Sequence, residues 1–414
     1  MKNILFVGLL AFVVSCSNPP KVAEAKIKDD VVFLADDKLE GRQTGTPGEE
    51  KAAEYISERM KSLGLEPKGT ESYLQPFSFK PKTDPHKEVE FTTNADSTIT
   101  GSNVIAFIDN QAATTVIIGA HYDHLGYGGE GSLYRGKDKA IHNGADDNAS
   151  GVAVMLNLAS RLKIKNDTAK VKDNNNYLFM AFSGEEMGLL GSNYFSKHPT
   201  IDEESINYMI NMDMVGKLKA DSTLAIYGTG TSPIFNQTIK ANNNNFKLVV
   251  DESGVGPSDH TSFYLIDVPV LHFFTGQHED YHKPTDDADK LNYEGMYKIS
   301  DYIFSIITDL NDNGELAFRK TKNESDSVPR FKVGLGVVPD YLFDGKGMRI
   351  DGTREETPAY RAGLQKGDVV VKLGDSLVTD MMSYMRALSV FEKGDKAAIT
   401  VKRKEETLDT VVEF

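Results

Sequence analysis

Apolar positions along this chain fall into two rhythms. Short continuous runs rich in β-branched and aromatic residues, Thr115–Gly119, Tyr177–Phe182, Ile206–Ile210 and Val268–Phe274, predict buried strands. Tyr73–Phe79, Glu88–Thr93, Asn103–Asp109 and Leu224–Tyr227 add shorter ones. Between them, Val31–Leu34, Glu49–Leu63, Val152–Leu162, Pro233–Asn242 and Tyr293–Leu310 carry apolar residues at helical spacing. Pro47 and Gly64 punctuate the second of these helices, and another helix is expected after Glu186, through Tyr194. Strands alternating with helices predict an α/β domain, with a mostly parallel central sheet flanked by helices. From Asn311 to Pro329 the chain is polar and without period, which is linker composition. A smaller, strand-rich module follows, with a helix over Met382–Phe391 and a last strand over Ala397–Lys402.

The N-terminus changes the picture of where the protein works. Lys2 precedes the apolar run Ile4–Val14, too short to span a bilayer. The run ends at Val13-Val14-Ser15-Cys16, and Cys16 is the only cysteine, so no intramolecular disulfide can form. The segment resembles a bacterial lipoprotein signal with cleavage before Cys16 and lipid added to it, although Val13 stands where that pattern has leucine. An ordinary secretory signal is the alternative. The implied division is residues 1–16 signal, 17–29 tether, 30–312 the α/β domain, 313–329 linker and 330–414 the β-rich module. The expected location is the cell envelope, periplasm or outer surface, anchored to a membrane by acyl chains at about 0.8 kcal/mol per buried CH₂. A net charge of −15 argues against a nucleic-acid partner, which calls for a basic patch.

Chemistry concentrates where apolar runs stop. His121 and Asp123 follow one strand, Glu185 and Glu186 another, Asp213 a third and His282 a fourth. Asp146 and Asp147 join them from Asn143-Gly-Ala-Asp-Asp-Asn-Ala-Ser-Gly151, ahead of a helix. Ligands collect at the carboxyl ends of strands in open α/β sheets. Buried carboxylates are costly unless cations neutralise them. Imidazoles with several carboxylates suit a pair of divalent ions sharing a bridging carboxylate, zinc first, with manganese or cobalt able to fill the same donors. Successive side chains of an extended Glu185-Glu186 would point opposite ways, one to metal and one to water.

Five blocks carry a resemblance. Gly119-Ala-His-Tyr-Asp-His124, Asn143–Gly151, Phe182-Ser-Gly-Glu-Glu-Met-Gly-Leu-Leu-Gly-Ser192, Asn211-Met-Asp-Met-Val-Gly216 and Tyr281-His282 resemble, in order and spacing, the signature blocks of the family-28 zinc metallopeptidases, over about residues 30 to 310. The resemblance implies two Zn²⁺, one held by His121 and Asp213, the other by Glu186 and His282, with Asp147 bridging. It implies Glu185 as general base, Asp123 orienting His121, and Tyr281 stabilising the oxyanion. The implied reaction is attack of a metal-activated water on a peptide carbonyl, with Glu185 protonating the leaving amine. The substrates would be peptides, and the activity an exopeptidase's, foremost an aminopeptidase's. A one-zinc glutaminyl cyclase of the same fold is the enzyme alternative, and a non-catalytic peptide-binding scaffold the other.

Other polar groups are weighed against plainer roles. Asp146 is expected to cap the helix that follows. His124 either lines the pocket or bonds its own loop. Ser258-Asp259-His260 is too local for a catalytic triad; Asp259 and His260 are expected to support the ligands from behind. His86, His142, His198, His272 and His278 are expected to be structural or solvated.

In the C-terminal module, Ala362-Gly-Leu-x-x-Gly-Asp368 and Gly334-Leu335-Gly336 resemble a PDZ domain. There the glycine loop would receive the C-terminal carboxylate of a peptide ligand through its backbone N–H groups.

Overall fold

The computed structural model describes residues 26–81, 90–92, 98–129, 131–321, 333–340, 343, 345–353, 356–404 and 406–414. Cys16, the signal and most of the tether lie outside the described residues, as does half of the strand expected over Glu88–Thr93, of which Glu90–Phe91 are paired in the sheet.

The larger domain is built on a ten-stranded sheet. Its strands are β1 (Glu66–Pro67), β2 (Leu74–Lys80), β3 (Glu90–Phe91), β4 (Ile99–Ile108), β5 (Thr114–His121), β6 (Asn175–Phe182), β7 (Ile206–Met212), β8 (Thr223–Tyr227), β9 (Lys247–Val250) and β10 (Val270–Phe274). The spatial order is β3-β2-β4-β6-β5-β7-β10-β8-β9, with β1 beside β4. β6, β5, β7 and β10 run parallel at the centre. The pairs β2–β4, β4–β6 and β8–β10 are antiparallel. The parallel arrangement thus holds where both faces are covered, and the flanks switch direction.

Alternation divides each central strand between two cores. Val116 and Ile118 point to one layer while Ile117 points to the other; Tyr177, Phe179 and Ala181 part from Leu178, Met180 and Phe182 in the same way. The first layer holds α1 (Ile27–Leu34), α2 (Pro47–Ser62), α3 (Gly151–Thr168), α5 (Phe235–Asn242) and α7 (Tyr293–Leu310). The second holds α4 (Leu190–Lys197) and α6 (His260–Tyr264), through Phe195 and Phe263. α3 is apolar almost all round from Val152 to Leu158 because it is buried almost all round. α7 has one apolar face and an Asn292 cap whose side chain accepts from Gly295 N.

Arg42 ties the first layer to the loops above the sheet. Its buried guanidinium donates to Tyr122 O at 2.7 Å, Asn143 O at 2.6 Å, Gly144 O at 3.0 Å and Leu34 O. Five donors in a fixed fork let one side chain satisfy carbonyls from three segments at once. Burial lowers its pKa to about 10, with Asp123 and Asp147 resisting, so it stays charged.

Residues 313–321, expected as linker, are instead docked on this domain. Leu316 is buried and its N–H donates to Asn207 Oδ1 at 2.7 Å; Asn207 Nδ2 donates to Gly314 O, and Arg319 N to Thr231 O. The composition is polar because the bonds are side chain to backbone, which leaves no apolar period to read.

The C-terminal module is an antiparallel six-stranded sheet: β11 (Val337–Pro339), β12 (Met348–Thr353), β13 (Val369–Leu373), β14 (Ser376–Leu377), β15 (Lys396–Arg403) and β16 (Glu406–Glu413). Helices α8 (Pro358–Arg361) and α9 (Met381–Ser389) complete it. Its own core gathers Leu335, Ile350, Val370, Leu388, Ile399 and Val412. Asp368 is buried because Arg403 Nε reaches its Oδ1 at 2.7 Å and Gln365 N donates to its Oδ2. β15 is not the last strand. β16 pairs with it along its whole length but buries little beyond Val412, so its sequence carries no alternation. Gly336 has φ +75°, which suits glycine, and Leu335 is a core residue rather than an exposed one.

Candidate metal and catalytic centre

The four parallel strands deliver the site. Because β5, β6, β7 and β10 are adjacent and point the same way, their carboxyl ends share one edge of the sheet. His121 ends β5, Glu185 and Glu186 follow β6, Asp213 follows β7, and Tyr281 and His282 lie beyond β10. Asp147 enters from the buried 145–150 turn ahead of α3.

Asp147 lies between two ligand pairs. Its Oδ1 is 3.3 Å from His121 Nε2, which is 3.4 Å from Asp213 Oδ1. Its Oδ2 is 3.1 Å from His282 Nε2, which is 3.4 Å from Glu186 Oε2. Two groups of potential metal donors result, His121–Asp147–Asp213 and His124–Asp147–Glu186, sharing Asp147. His121 Nε2 is buried with carboxylate oxygens 3.3 and 3.4 Å away and no aligned hydrogen bond among the described residues, as an unfilled donor of a cation site would be. The chemistry fits divalent cations: imidazole nitrogens and carboxylates, nearly all buried.

Other groups aim these donors. His282 Nδ1 meets Gly131 O at 2.8 Å, so it carries the proton and leaves Nε2 free. His121 Nδ1 does likewise to the backbone oxygen of Asp123 at 3.2 Å; the Asp123 carboxylate is farther, at 3.7 Å. That carboxylate instead accepts from Glu185 N at 3.1 Å and from Thr44 Oγ1 at 3.1 Å. Asp123 therefore fixes the His121 tautomer through its main chain and the backbone of Glu185 through its side chain. Glu185 and Glu186 are not extended. Gly184, at φ +72°, turns the chain, and Glu185 O accepts from Gly188 N and Leu189 N. Both carboxylates consequently reach the same cavity instead of pointing apart.

Asp146 does not cap α3. Its Oδ1 accepts from Gly216 N at 2.6 Å and its Oδ2 pairs with His278 Nε2 at 3.0 Å. Asn148 Oδ1 takes Gly151 N, and Asp286, a residue the sequence did not single out, takes both Asp146 N and Asp147 N. His278 is thus a partner of this support and not solvated. His124 stands in the site, its Nδ1 2.7 Å from Glu186 Oε1. Asp259 and His260 are fully buried behind the cavity, and Ser258 Oγ accepts from Asn211 Nδ2.

Residues 103–307 match the model of Peptidase family M28, and residues 318–414 that of the PDZ domain. The chain carries a family M28 peptidase domain, followed by a PDZ domain. A "Probable leucine aminopeptidase" of Trichophyton verrucosum (strain HKI 0517) is 34% identical over 168 residues, 39% of this chain and 42% of that relative. The chain therefore spans less than half the length of this curated relative. Among solved structures, an aminopeptidase from Aneurinibacillus sp. strain AM-1 shares the fold with TM-score 0.51 at 19% identity, covering 72% of this chain and 95% of that one. A Porphyromonas gingivalis glutaminyl cyclase does so with TM-score 0.52 at 17%, covering 69% and 99%.

Electrostatics in the M28 domain follow from burial. Glu185 is driven well above the ordinary carboxyl range by desolvation, with His121 pulling it down and Asp213, Glu186 and Asp259 pushing it up. Burial likewise lifts Tyr281 well above the usual phenol range, helped by Asp147 and Glu186, so its hydroxyl keeps its proton. Asp259 is raised to about 7, mainly by burial.

Behind the Glu185 loop lies a second acid, Glu49. It accepts from Ser183 Oγ and from Gly45 N, and Tyr122 OH is 3.2 Å away. Burial lifts it from 4.5 to about 7, with Ser183 and Gly45 opposing. The folded protein thus holds this proton more tightly than the unfolded chain. Its contribution is complete below about pH 4.5 and is lost as pH rises through about 7, on the order of 3 kcal/mol. Glu49→Gln removes that titration. Urea melts from pH 5 to 8 should show wild type losing stability relative to the variant; parallel pH profiles would refute the assignment.

Proposed function

We propose that the protein is an exported, lipid-anchored aminopeptidase that uses two divalent cations to hydrolyse the first peptide bond of its substrates. The observation that carries this reading is the shared carboxylate, Asp147, with its two oxygens against opposite ligand pairs. His121 and Asp213 would hold one cation, Glu186 and His282 the other, with His124 able to assist. When bound, the cations supply Lewis acidity and an acidified water; zinc is the first choice and manganese or cobalt fit the same donors.

The chain's own groups do the rest. Glu185, held through Asp123 and lining the cavity, takes the proton of the attacking water and passes it to the leaving amine. Tyr281, kept protonated, donates to the oxygen on which charge develops. A cavity of about 110 Å³ beside these groups matches the size of a single side chain, which favours removal of a terminal residue. The carboxylates in its lining, Asp147, Glu185, Glu186 and Asp213, suit a free N-terminal ammonium. The PDZ domain would take the C-terminus of a peptide partner at Gly334-Leu335-Gly336.

The test is hydrolysis of unblocked and N-acetylated dipeptides by the mature protein, with and without chelator. Chelator-sensitive cleavage of unblocked peptides alone is expected. Cleavage of blocked peptides would make it a different peptidase. Cyclisation of N-terminal glutamine without hydrolysis would favour the cyclase, and no turnover with metal bound would leave the PDZ scaffold. In the same preparations, Cys16→Ala should move the protein from the membrane to the soluble fraction; unchanged membrane association would remove the lipid anchor from the proposal.

A further inference from the structure

The cavity carries in its lining a polar feature that catalysis does not use. Met214, Tyr227 and Phe274 wall it, and His272 and Gln277 also line it. Alternation along β10 turns His272 and Phe274 toward the cavity while Leu271 and Phe273 enter the helix-covered core. His272 is 4% exposed. Its Nδ1 lies 3.1 Å from Asn211 Nδ2, whose other hydrogen goes to Ser258 Oγ at 2.8 Å. An amide nitrogen only donates, so Nδ1 accepts, and the neutral ring carries its hydrogen on Nε2. Neutrality is held by burial, which lowers this histidine to about 4 against the pull of Asp213. The ring cannot swing, because it lies flat on His260, with centres 4.5 Å apart at 6°. The hydrogen bond this ring makes is at Nδ1, on the side away from Nε2–H, and Gln277 Oε1 is buried without a partner among the described residues.

We infer that this pocket selects an N-terminal residue with an apolar stem and an uncharged carboxamide tip, glutamine above leucine. The inference rests on the aminopeptidase reading and names its substrate class. A glutamine side chain offers a carbonyl oxygen to His272 Nε2–H and an NH₂ to Gln277 Oε1, while its methylenes meet Met214, Tyr227 and Phe274. Leucine fills the same space but leaves both polar atoms dry and unpaired, a cost that pockets built around a hydrogen bond convert into selectivity. A glutamate tip would lose its hydration with no lysine or arginine in the lining and with Asp147, Glu185, Glu186 and Asp213 in the same cavity, and a lysine tip has no acceptor in His272 Nε2–H.

The experiment compares kcat/KM for Gln-, Leu-, Glu- and Lys-initiated dipeptides in the metal-loaded full chain, with products identified by mass. Gln is expected to exceed Leu at least tenfold as free glutamine is released. His272→Phe, which keeps a flat ring but loses the donor, should reverse the order; His272→Gln, which retains an N–H donor, should keep Gln ahead. Free glutamine should also inhibit the wild-type enzyme at lower concentration than free leucine, a measurement that needs no variant to fold. Leucine preferred by wild type, or a Gln:Leu ratio unmoved in a His272→Phe protein with normal melting, overturns the inference and leaves the aminopeptidase standing. Failure to hydrolyse any unblocked peptide, or release of pyroglutamyl peptide only, overturns the reading beneath it.

Discussion

Glu185→Gln should lower kcat by about 10³-fold, or about 4 kcal/mol of barrier, with KM and metal content near wild type. Neither group of potential metal donors includes Glu185, so its replacement removes a proton acceptor and not a ligand. The backbone of residue 185 is held independently of its side chain, by the Asp123 carboxylate on its N–H and by the turn that closes on its carbonyl. The glutamine variant should therefore keep the loop in place and lose only the ability to accept and return a proton. Steady-state kinetics alongside metal analysis separates the possibilities. A variant with wild-type kcat would exclude Glu185 as the base, and one that has lost its metal would make it a ligand.

The same residues show what a sequence can reveal. The candidate ligands His121 and Asp213 were legible because each stands where an apolar strand run stops, after Thr115–Gly119 and Ile206–Ile210, whereas Asp147, in the turn ahead of α3, is marked only by the family resemblance. The supports of these ligands were not legible. Arg42 reaches Asn143 and Gly144 across a hundred residues, and Asp286 receives the N–H groups of Asp146 and Asp147 from still farther along the chain. Nothing local distinguishes such residues from a surface arginine or a loop aspartate, because the pairing exists only once the layers have packed. The turn at Glu185-Glu186 departs from the extended course expected of it, since Gly184 permits either, and its φ of +72° is decided by the closing bonds beyond it. Edge strands such as β9 and β16 escaped for the opposite reason. They bury so little that no period is imposed on them.

His278 and Asp146 follow from this distinction. As a lone aspartate ahead of a helix, Asp146 reads as a cap, yet its oxygens go to Gly216 N and His278 Nε2. Those contacts join the turn carrying Asp147 to the loop carrying Asp213 and to the segment that leads into Tyr281 and His282. The ligand loops are thereby held to one another as well as to the sheet, which keeps a cluster of like charges in place when no cation neutralises it.

Asp147→Asn should cost the protein both cations, and this distinguishes a shared carboxylate from a ligand of one site. Asp147 lies against both His121–Asp213 and Glu186–His282, so its loss leaves each pair with two ligands, fewer than the three protein ligands a catalytic zinc keeps. Metal per chain after dialysis should fall from about two to below one, and hydrolysis should vanish with it. Thermal melting gives a readout that does not depend on activity. A cation that binds only the folded chain stabilises it by mass action, by about 4 kcal/mol at a thousand times its Kd, so chelation should lower the Tm of the wild type markedly. In the variant, chelator should move the Tm little, because there is little bound metal to remove. His121→Ala is the control, since His121 belongs to one group and should cost one cation while leaving the other and part of the chelator response. If Asp147→Asn retained one full equivalent and a wild-type Tm response, Asp147 would serve a single cation, and the bridge between His121 and His282 would have to be sought in another group of the same cluster.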